Sequence, residues 1–171
     1  MDHEPHGRAA NIVTRPYSAS VITVSDRASA GQREDRSGPL AAELLRDAGW
    51  TADVRVVPDG IDTVSDSIRS AIDAGSRLVV TTGGTGVAPR DVTPQATAPL
   101  LRFELPGIAE QIRRVGAEKL PAALLSRGLA GVVGTALVVN LAGSTGAVRD
   151  GVPVILSVAE HVLSQLDGGD H

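Results

Sequence analysis

Two acids and a run of glycines are the residues of this chain whose types and spacing suit chemistry. Thr81-Thr82-Gly83-Gly84-Thr85-Gly86 is followed at once by Val87-Ala88-Pro89-Arg90-Asp91-Val92-Thr93-Pro94. Glycines let a backbone turn sharply and bring bare N–H groups close to a ligand. Asp91 stands just beyond them, and Asp59 closes an earlier segment in Pro58-Asp59-Gly60. Paired carboxylates beside a main-chain anion cradle suit Mg²⁺ bound together with a polyphosphate, so both acids are candidate catalytic and metal-binding residues. The run is not a Walker A loop, because no Lys follows its last glycine, and it does not match G-x-G-x-x-G.

A tight turn with no ligand accounts for the same glycines, and Pro-Asp-Gly is also an ordinary turn sequence. What favours a site is Asp91. Thr93 ahead of Pro94 reads as the cap of the next helix, which leaves that carboxylate without a structural task. Arg90 would be its partner or a phosphate ligand. Ser25-Asp26 makes a third contributor to the same rim. Asn140-Leu141-Ala142-Gly143-Ser144 makes a fourth, with Gly143 and Ser144 placed to meet a second anion, although a plain loop before a helix fits it as well.

These loops need strands to position them. Ala19–Val24, Ala52–Val57 and Leu78–Thr82 read as strands, the last a β-branched run of the kind buried in parallel sheets. Helices are expected between them: one with Pro39 at its first position and Gly49 as its stop, one capped by Asp62 or Thr63 and ending near Gly75. Thr93-Pro94 and Pro106-Gly107 each open another. Leu129–Val133 and Ala136–Leu141 read as strands joined by a tight turn at Gly134-Thr135. Gly143-Ser144-Thr145-Gly146 follows as a loop, and Val154–Leu166 as a closing helix. The alternation predicts an α/β fold, three layers with a mostly parallel sheet plus a short antiparallel hairpin. Residues 1–17, with His3 and His6, read as a flexible tail, 18–166 as a single domain, and 167–171 as a second tail.

Composition narrows the classes. The net charge of −4 with scattered basic residues argues against nucleic-acid binding. One Trp, one Tyr and one Phe offer little for base stacking. With no cysteine, disulfides, thiolate zinc sites and thiol nucleophiles are excluded. No apolar run approaches the roughly 20 residues that span a bilayer, and no signal-peptide stretch opens the chain, so no membrane partner and a cytoplasmic location are expected. His161 reads as a packing or surface residue and Arg113-Arg114 as a solvated helix face.

Taken in order, the motifs resemble the MogA/MoaB family of molybdenum cofactor biosynthesis proteins, including the related domain of gephyrin. The match rests on Ser25-Asp26-Arg27-Ala28-Ser29-Ala30-Gly31, Pro58-Asp59, Thr81–Gly86, Arg90–Pro94, Pro106-Gly107-Ile108, Leu125–Gly128 and Asn140–Ser144. The resemblance implies a molybdopterin-binding fold assembled as a homotrimer. It implies transfer of AMP from Mg-ATP to molybdopterin with release of pyrophosphate, ahead of a molybdenum-insertion partner. The family's two essential acids fall on Asp59 and Asp91. Its nucleotide and pterin loops fall on Thr82, Gly83, Gly84, Thr85 and Gly86 and on Asn140, Gly143 and Ser144, with Ser25 and Asp26 beside them. Two positions depart: Ala142 stands where the family usually has Pro, and Gly146 where many members have Lys. Arg149 is the nearby candidate to replace that cation. The departures keep a non-catalytic molybdopterin carrier as the alternative, with a purely structural trimeric module as a third reading.

Overall fold

A computed structural model describes residues 17–169. Of the tail expected over residues 1–17, residues 1–16, with His3 and His6, lie outside that range, as do residues 170–171. Strand β1 (Ser18–Val24) lies inside the sheet between two neighbours, and the strand period sorts its side chains. Ala19 and Val21 enter one apolar core, and Ile22 and Val24 enter another on the opposite face. The chain then makes a single helical turn, α1 (Asp26–Ser29), and the longer helix α2 (Ser37–Asp47). Strand β2 (Thr51–Val57), helix α3 (Ile61–Asp73) and strand β3 (Leu78–Thr82) follow. Beyond the glycine run come α4 (Thr93–Thr97), the two-residue strand β4 (Phe103–Glu104) and α5 (Pro106–Lys119). Strands β5 (Ala130–Val133) and β6 (Ala136–Leu141) lead into α6 (Thr145–Leu166).

The sheet runs β2-β1-β3-β6-β5-β4. The first four strands in that order are parallel, β5 runs antiparallel to β6, and the edge strand β4 runs antiparallel to β5. Val21 lies opposite both Val54 and Val80, and Thr81 opposite Asn140. Helices α2, α5 and α6 cover one face, while α3 and α4 cover the other. This is the three-layer arrangement that the alternation predicts. Each fully buried Val, Leu or Ile contributes about 1.5–3 kcal/mol, so the central strands give the loops above them a stiff base.

Several boundaries move. Helix α2 begins earlier than expected, with Pro39 as its third residue, because Asp35 Oδ1 takes the Gly38 N–H at 3.1 Å. Asp62 and Thr63 lie inside the first turn of α3 rather than before it. There Thr63 Oγ1 donates to the carbonyls of Pro58 and Gly60. Helix α6 starts at Thr145 rather than Val154 and carries Pro153 in its interior. Tyr17, assigned to the tail, belongs to the fold: its ring centroid lies 5.4 Å from that of Trp50, and its carbonyl accepts the Thr51 N–H. Asp167 is likewise anchored, accepting from Arg77 at 2.8 Å.

Candidate active site

From β1 the chain passes to β2 on one side and returns with β3 on the other. That reversal opens a crevice at the carboxyl ends of β1 and β3, where α/β sheets take ligands. The loops after β1, β2, β3 and β6 meet there.

The glycine run makes the floor. Gly83 and Gly84 have φ of 100° and 70°, a region that side chains avoid. A Cβ on Gly83 would strike the Val24 carbonyl oxygen, and one on Gly84 would strike Thr93 Oγ1. The carbonyls of the run are tied back into the fold. Gly83 O accepts from Thr93 Oγ1 at 3.0 Å and Gly84 O from the Thr93 N–H at 3.1 Å. Thr85 O accepts from the Arg127 N–H, and Gly86 O from Arg127 Nε, both at 2.8 Å. The Gly83 N–H is spent on Leu141 O at 2.9 Å. Among the described residues, no acceptor takes the N–H groups of Gly84, Thr85 or Gly86. With its oxygens held down and these donors left over, the turn presents positive dipoles to the cleft.

Both acids face this turn. Asp59 Oδ2 accepts the Asp26 N–H at 3.1 Å, and Asp26 Oδ1 accepts the Asp59 N–H at the same distance. Asp59 Oδ1 would lie 3.2 Å from a Cβ on Gly84. Asp91 Oδ2 accepts the Ala88 N–H at 3.1 Å and would lie 2.8 Å from a Cβ on Gly86. Asp59 thus holds the loop after β1 through Oδ2 and Asp91 holds its own loop through Oδ2, while the Oδ1 of each has no hydrogen bond among the described residues. Desolvation holds the Asp59 carboxyl above its ordinary pKa, helped by the charges of Asp26 and Asp91 and opposed by the Asp26 N–H and Arg90. Asp26 goes the other way, chiefly through its hydrogen bond from Arg90.

Contrary to expectation, Asp91 has a structural task and Thr93 is not a cap. Thr93 caps nothing with its side chain, since its hydroxyl goes to Gly83 O, and the Asp91 carboxylate does have a local task in closing the Ala88–Asp91 turn. Its free Oδ1 keeps it a candidate. Asn140 also moves out of the ligand-contact set. It is buried, donates from Nδ2 to Thr81 Oγ1 (2.9 Å) and Thr97 Oγ1 (3.1 Å), and accepts the Leu129 N–H on Oδ1. Thr85 is buried and accepts from Ser126 Oγ at 3.1 Å. Ser25 and Ser144 act as helix caps, taking the N–H groups of Ala28 and Ala147.

Two clefts flank the turn. One of about 500 Å³ is bordered by Ser25, Arg33, Asp35, Ser37, Thr82 and Ser144. The other, of about 400 Å³, runs along Gly83–Gly86 past Asp91, Ser126 and Gly143. Sequence reasoning missed Arg127, whose guanidinium also donates to Asp91 O at 2.6 Å and so ties the acid to the glycine turn. The signal available was a lone cation in Ser126-Arg127-Gly128 between two apolar segments. Among the described residues no group of three or more His, Cys, Asp or Glu could cage a metal alone. Two unpaired carboxylate oxygens fit Mg²⁺ that takes its other ligands from phosphate and water.

The family described as "Probable molybdopterin binding domain" matches residues 20–161. The chain belongs to that family. It is 37% identical to a molybdopterin adenylyltransferase of Pyrococcus furiosus, over 95% of this chain and 97% of that one. It is 40% identical to a molybdenum cofactor biosynthesis bifunctional protein of Synechococcus elongatus, where it spans 52% of the relative's length. The crystal structure of a molybdopterin biosynthesis protein from Mycobacterium abscessus superposes with a TM-score of 0.84 at 47% identity, covering 89% of this chain and 97% of that one.

Proposed function

We propose that this protein transfers AMP from Mg-ATP to molybdopterin. The observation carrying the reading is the glycine turn, with its carbonyls tied down and the N–H groups of Gly84, Thr85 and Gly86 left over, between two acids that each keep one oxygen unpaired. An oxygen of molybdopterin's terminal phosphate attacks the α-phosphorus of ATP. The bond to the β-phosphate oxygen breaks, and pyrophosphate leaves. An ionised phosphate needs no general base, so neither acid is given that role.

Two anions must meet, and unit charges 4 Å apart repel by about 4 kcal/mol at an effective dielectric near 20. The main-chain donors hold phosphate oxygens without ordering any side chain. Asp59 and Asp91 would hold Mg²⁺, which supplies charge neutralisation and orientation of the leaving group. Arg127 keeps the Asp91 loop and the glycine turn in register.

The carrier reading has one observation in its favour. Ala142 and Gly146 border the same apolar cavity of about 250 Å³, beside Ile112, Leu120 and Ala147, so both departures fall in one place. The expected substitute cation, Arg149, does not line it; Lys119 does, held by Asp150 at 2.6 Å. The exposed Leu120, Leu124 and Leu125 offer apolar surface for the homotrimer that we also propose, in a cytoplasmic protein that passes its product to a molybdenum-insertion partner. No helix among the described residues is long and apolar enough to cross a membrane.

Incubation with molybdopterin, ATP and Mg²⁺ tests the reading. AMP on the pterin with stoichiometric pyrophosphate supports it, and Asp91→Asn should lower that rate by orders of magnitude while leaving the fold intact. Pterin binding with no nucleotide binding by calorimetry would establish the carrier instead.

A further inference from the structure

Arg90 sits immediately before Asp91, yet its guanidinium reaches away, to the ends of β1 and β2. Its Nε donates to Asp26 Oδ2 at 2.5 Å and its Nη2 to Asp26 Oδ1 at 3.0 Å, a two-pronged pair that a lysine cannot copy. The same Nη2 donates to the Asp59 carbonyl at 3.0 Å. Asp26 and Asp59 meanwhile exchange main-chain N–H groups for carboxylate oxygens at 3.1 Å in both directions. Five hydrogen bonds therefore join the loops after β1, β2 and β3 at the one point where the two rim acids must share a register.

We propose that Arg90 and Asp26 form a strut that sets Asp59 against the glycine turn, and that neither residue contacts the nucleotide. This rests on the adenylyl-transfer reading and reassigns Asp26 from ligand contact to positioning residue. The side chains of Arg90 and Asp26 are 67% and 42% exposed. Ion pairs so placed add little to stability, so the strut's effect lies in the position of the Asp59 carboxylate rather than in the fold. It also explains how three acids crowd one rim. Arg90 is committed to Asp26 and to a carbonyl, which leaves Asp59 Oδ1 and Asp91 Oδ1 for a cation.

A double-mutant cycle tests it, using Asp26→Asn, Arg90→Gln, the double variant and Arg90→Lys. Each is read by pyrophosphate release, by Mn²⁺ binding in electron paramagnetic resonance with a non-hydrolysable ATP analogue, and by Tm. Both single variants should lose about 10- to 100-fold in kcat, the scale of an ångström's misplacement, and should weaken Mn²⁺ with Tm nearly unchanged. The double variant should be no worse than the poorer single, and Arg90→Lys should not recover. Multiplying losses in the double variant would overturn the strut. So would a wild-type-like Asp26→Asn beside an Arg90→Gln that fails to bind ATP, since Arg90 would then be a phosphate ligand. If the wild type transfers no AMP, adenylyl transfer fails as the function. The Mn²⁺ series still decides the strut in that case: equal binding in wild type and variants refutes it.

Discussion

Gly86→Ala separates the position of a carboxylate from the stability of the fold. Unlike Gly83 and Gly84, Gly86 does not have positive φ, so alanine meets no backbone strain there. Its new Cβ would lie 2.8 Å from Asp91 Oδ2 and 3.8 Å from Asp91 Cγ, and it meets no other heavy atom within 4 Å. The carboxylate must therefore turn aside, giving up the hydrogen bond from the Ala88 N–H. Losing that exposed bond costs about 0.5–1.5 kcal/mol. Replacing glycine by alanine restricts the unfolded chain and returns about 0.4–1 kcal/mol. The two nearly cancel, so at about 2–4 °C per kcal/mol for a chain of this size Tm should move by no more than about 4 °C.

Turnover should not survive so well. A carboxylate displaced by about an ångström from a cation site costs on the order of 100-fold. The assay is pyrophosphate release with molybdopterin, ATP and Mg²⁺, beside a thermal melt on the same sample. Wild-type turnover at unchanged Tm would show that the orientation of Asp91 is irrelevant to the chemistry. A large fall in Tm would refute the steric account itself.

Three further substitutions probe the support beneath the site. Gly83→Ala puts a side chain at φ 100° against a fixed carbonyl, so about 3 kcal/mol or more should be lost, seen as a Tm lower by roughly 6–12 °C. Asn140→Ala strands the Leu129 N–H and removes the donors to Thr81 and Thr97; about 2–4 kcal/mol should be lost in denaturant unfolding, with turnover per folded molecule changed far less. Asp59→Asn should abolish turnover and raise Tm at neutral pH. A carboxyl whose folded pKa is raised costs the folded state stability above that pKa, and the cost fades as pH falls through it towards the ordinary value. The gain over wild type should therefore shrink in acid, and a lower neutral Tm for this variant would contradict the desolvation of Asp59.

The glycine run, the two acids and the strands beneath them were legible because each has a local signature. Leu78-Val79-Val80 is an uninterrupted apolar run, and the glycines follow it directly. What escaped the sequence was settled by tertiary contact. Helix α6 looked broken because Gly146, Gly151 and Pro153 sit in its first half. Yet Gly151 packs so closely on β6 that a Cβ would stand 2.5 Å from Leu141 Cδ2, and glycine is what lets the helix approach. The single turn α1 exists because Ser25 caps it while Asp59 takes the Asp26 N–H, a pairing across 33 residues that no window of sequence contains. Arg127 and Arg90 were visible as cations, but their acceptors are mainly carbonyls and an acid of other loops.

Beneath the cleft the fold interposes a polar layer between the apolar core and the charged rim. Thr81 accepts from Asn140, Thr82 shares a hydrogen bond with Ser37, Thr93 reaches Gly83 O and Thr97 reaches Thr93 O. No buried side-chain nitrogen or oxygen among the described residues lacks a partner. The groups in this layer are hydroxyls and one amide, all neutral. Buried charges there would need partners of their own and would compete for the cation and phosphates of the proposed reaction. A saturated neutral network instead fixes the Gly83 carbonyl while adding no net charge, and Arg127 fixes that of Gly86. At the rim Asp59 and Asp91 each have an oxygen to spare, Asp26 and Arg90 are paired with each other, and Arg127 is spent on carbonyls and Gln95, while Arg33 and Asp35 border the neighbouring cleft. That division leaves the glycine turn a donor surface set by main-chain geometry, which is what the proposed phosphate site requires before any ligand arrives.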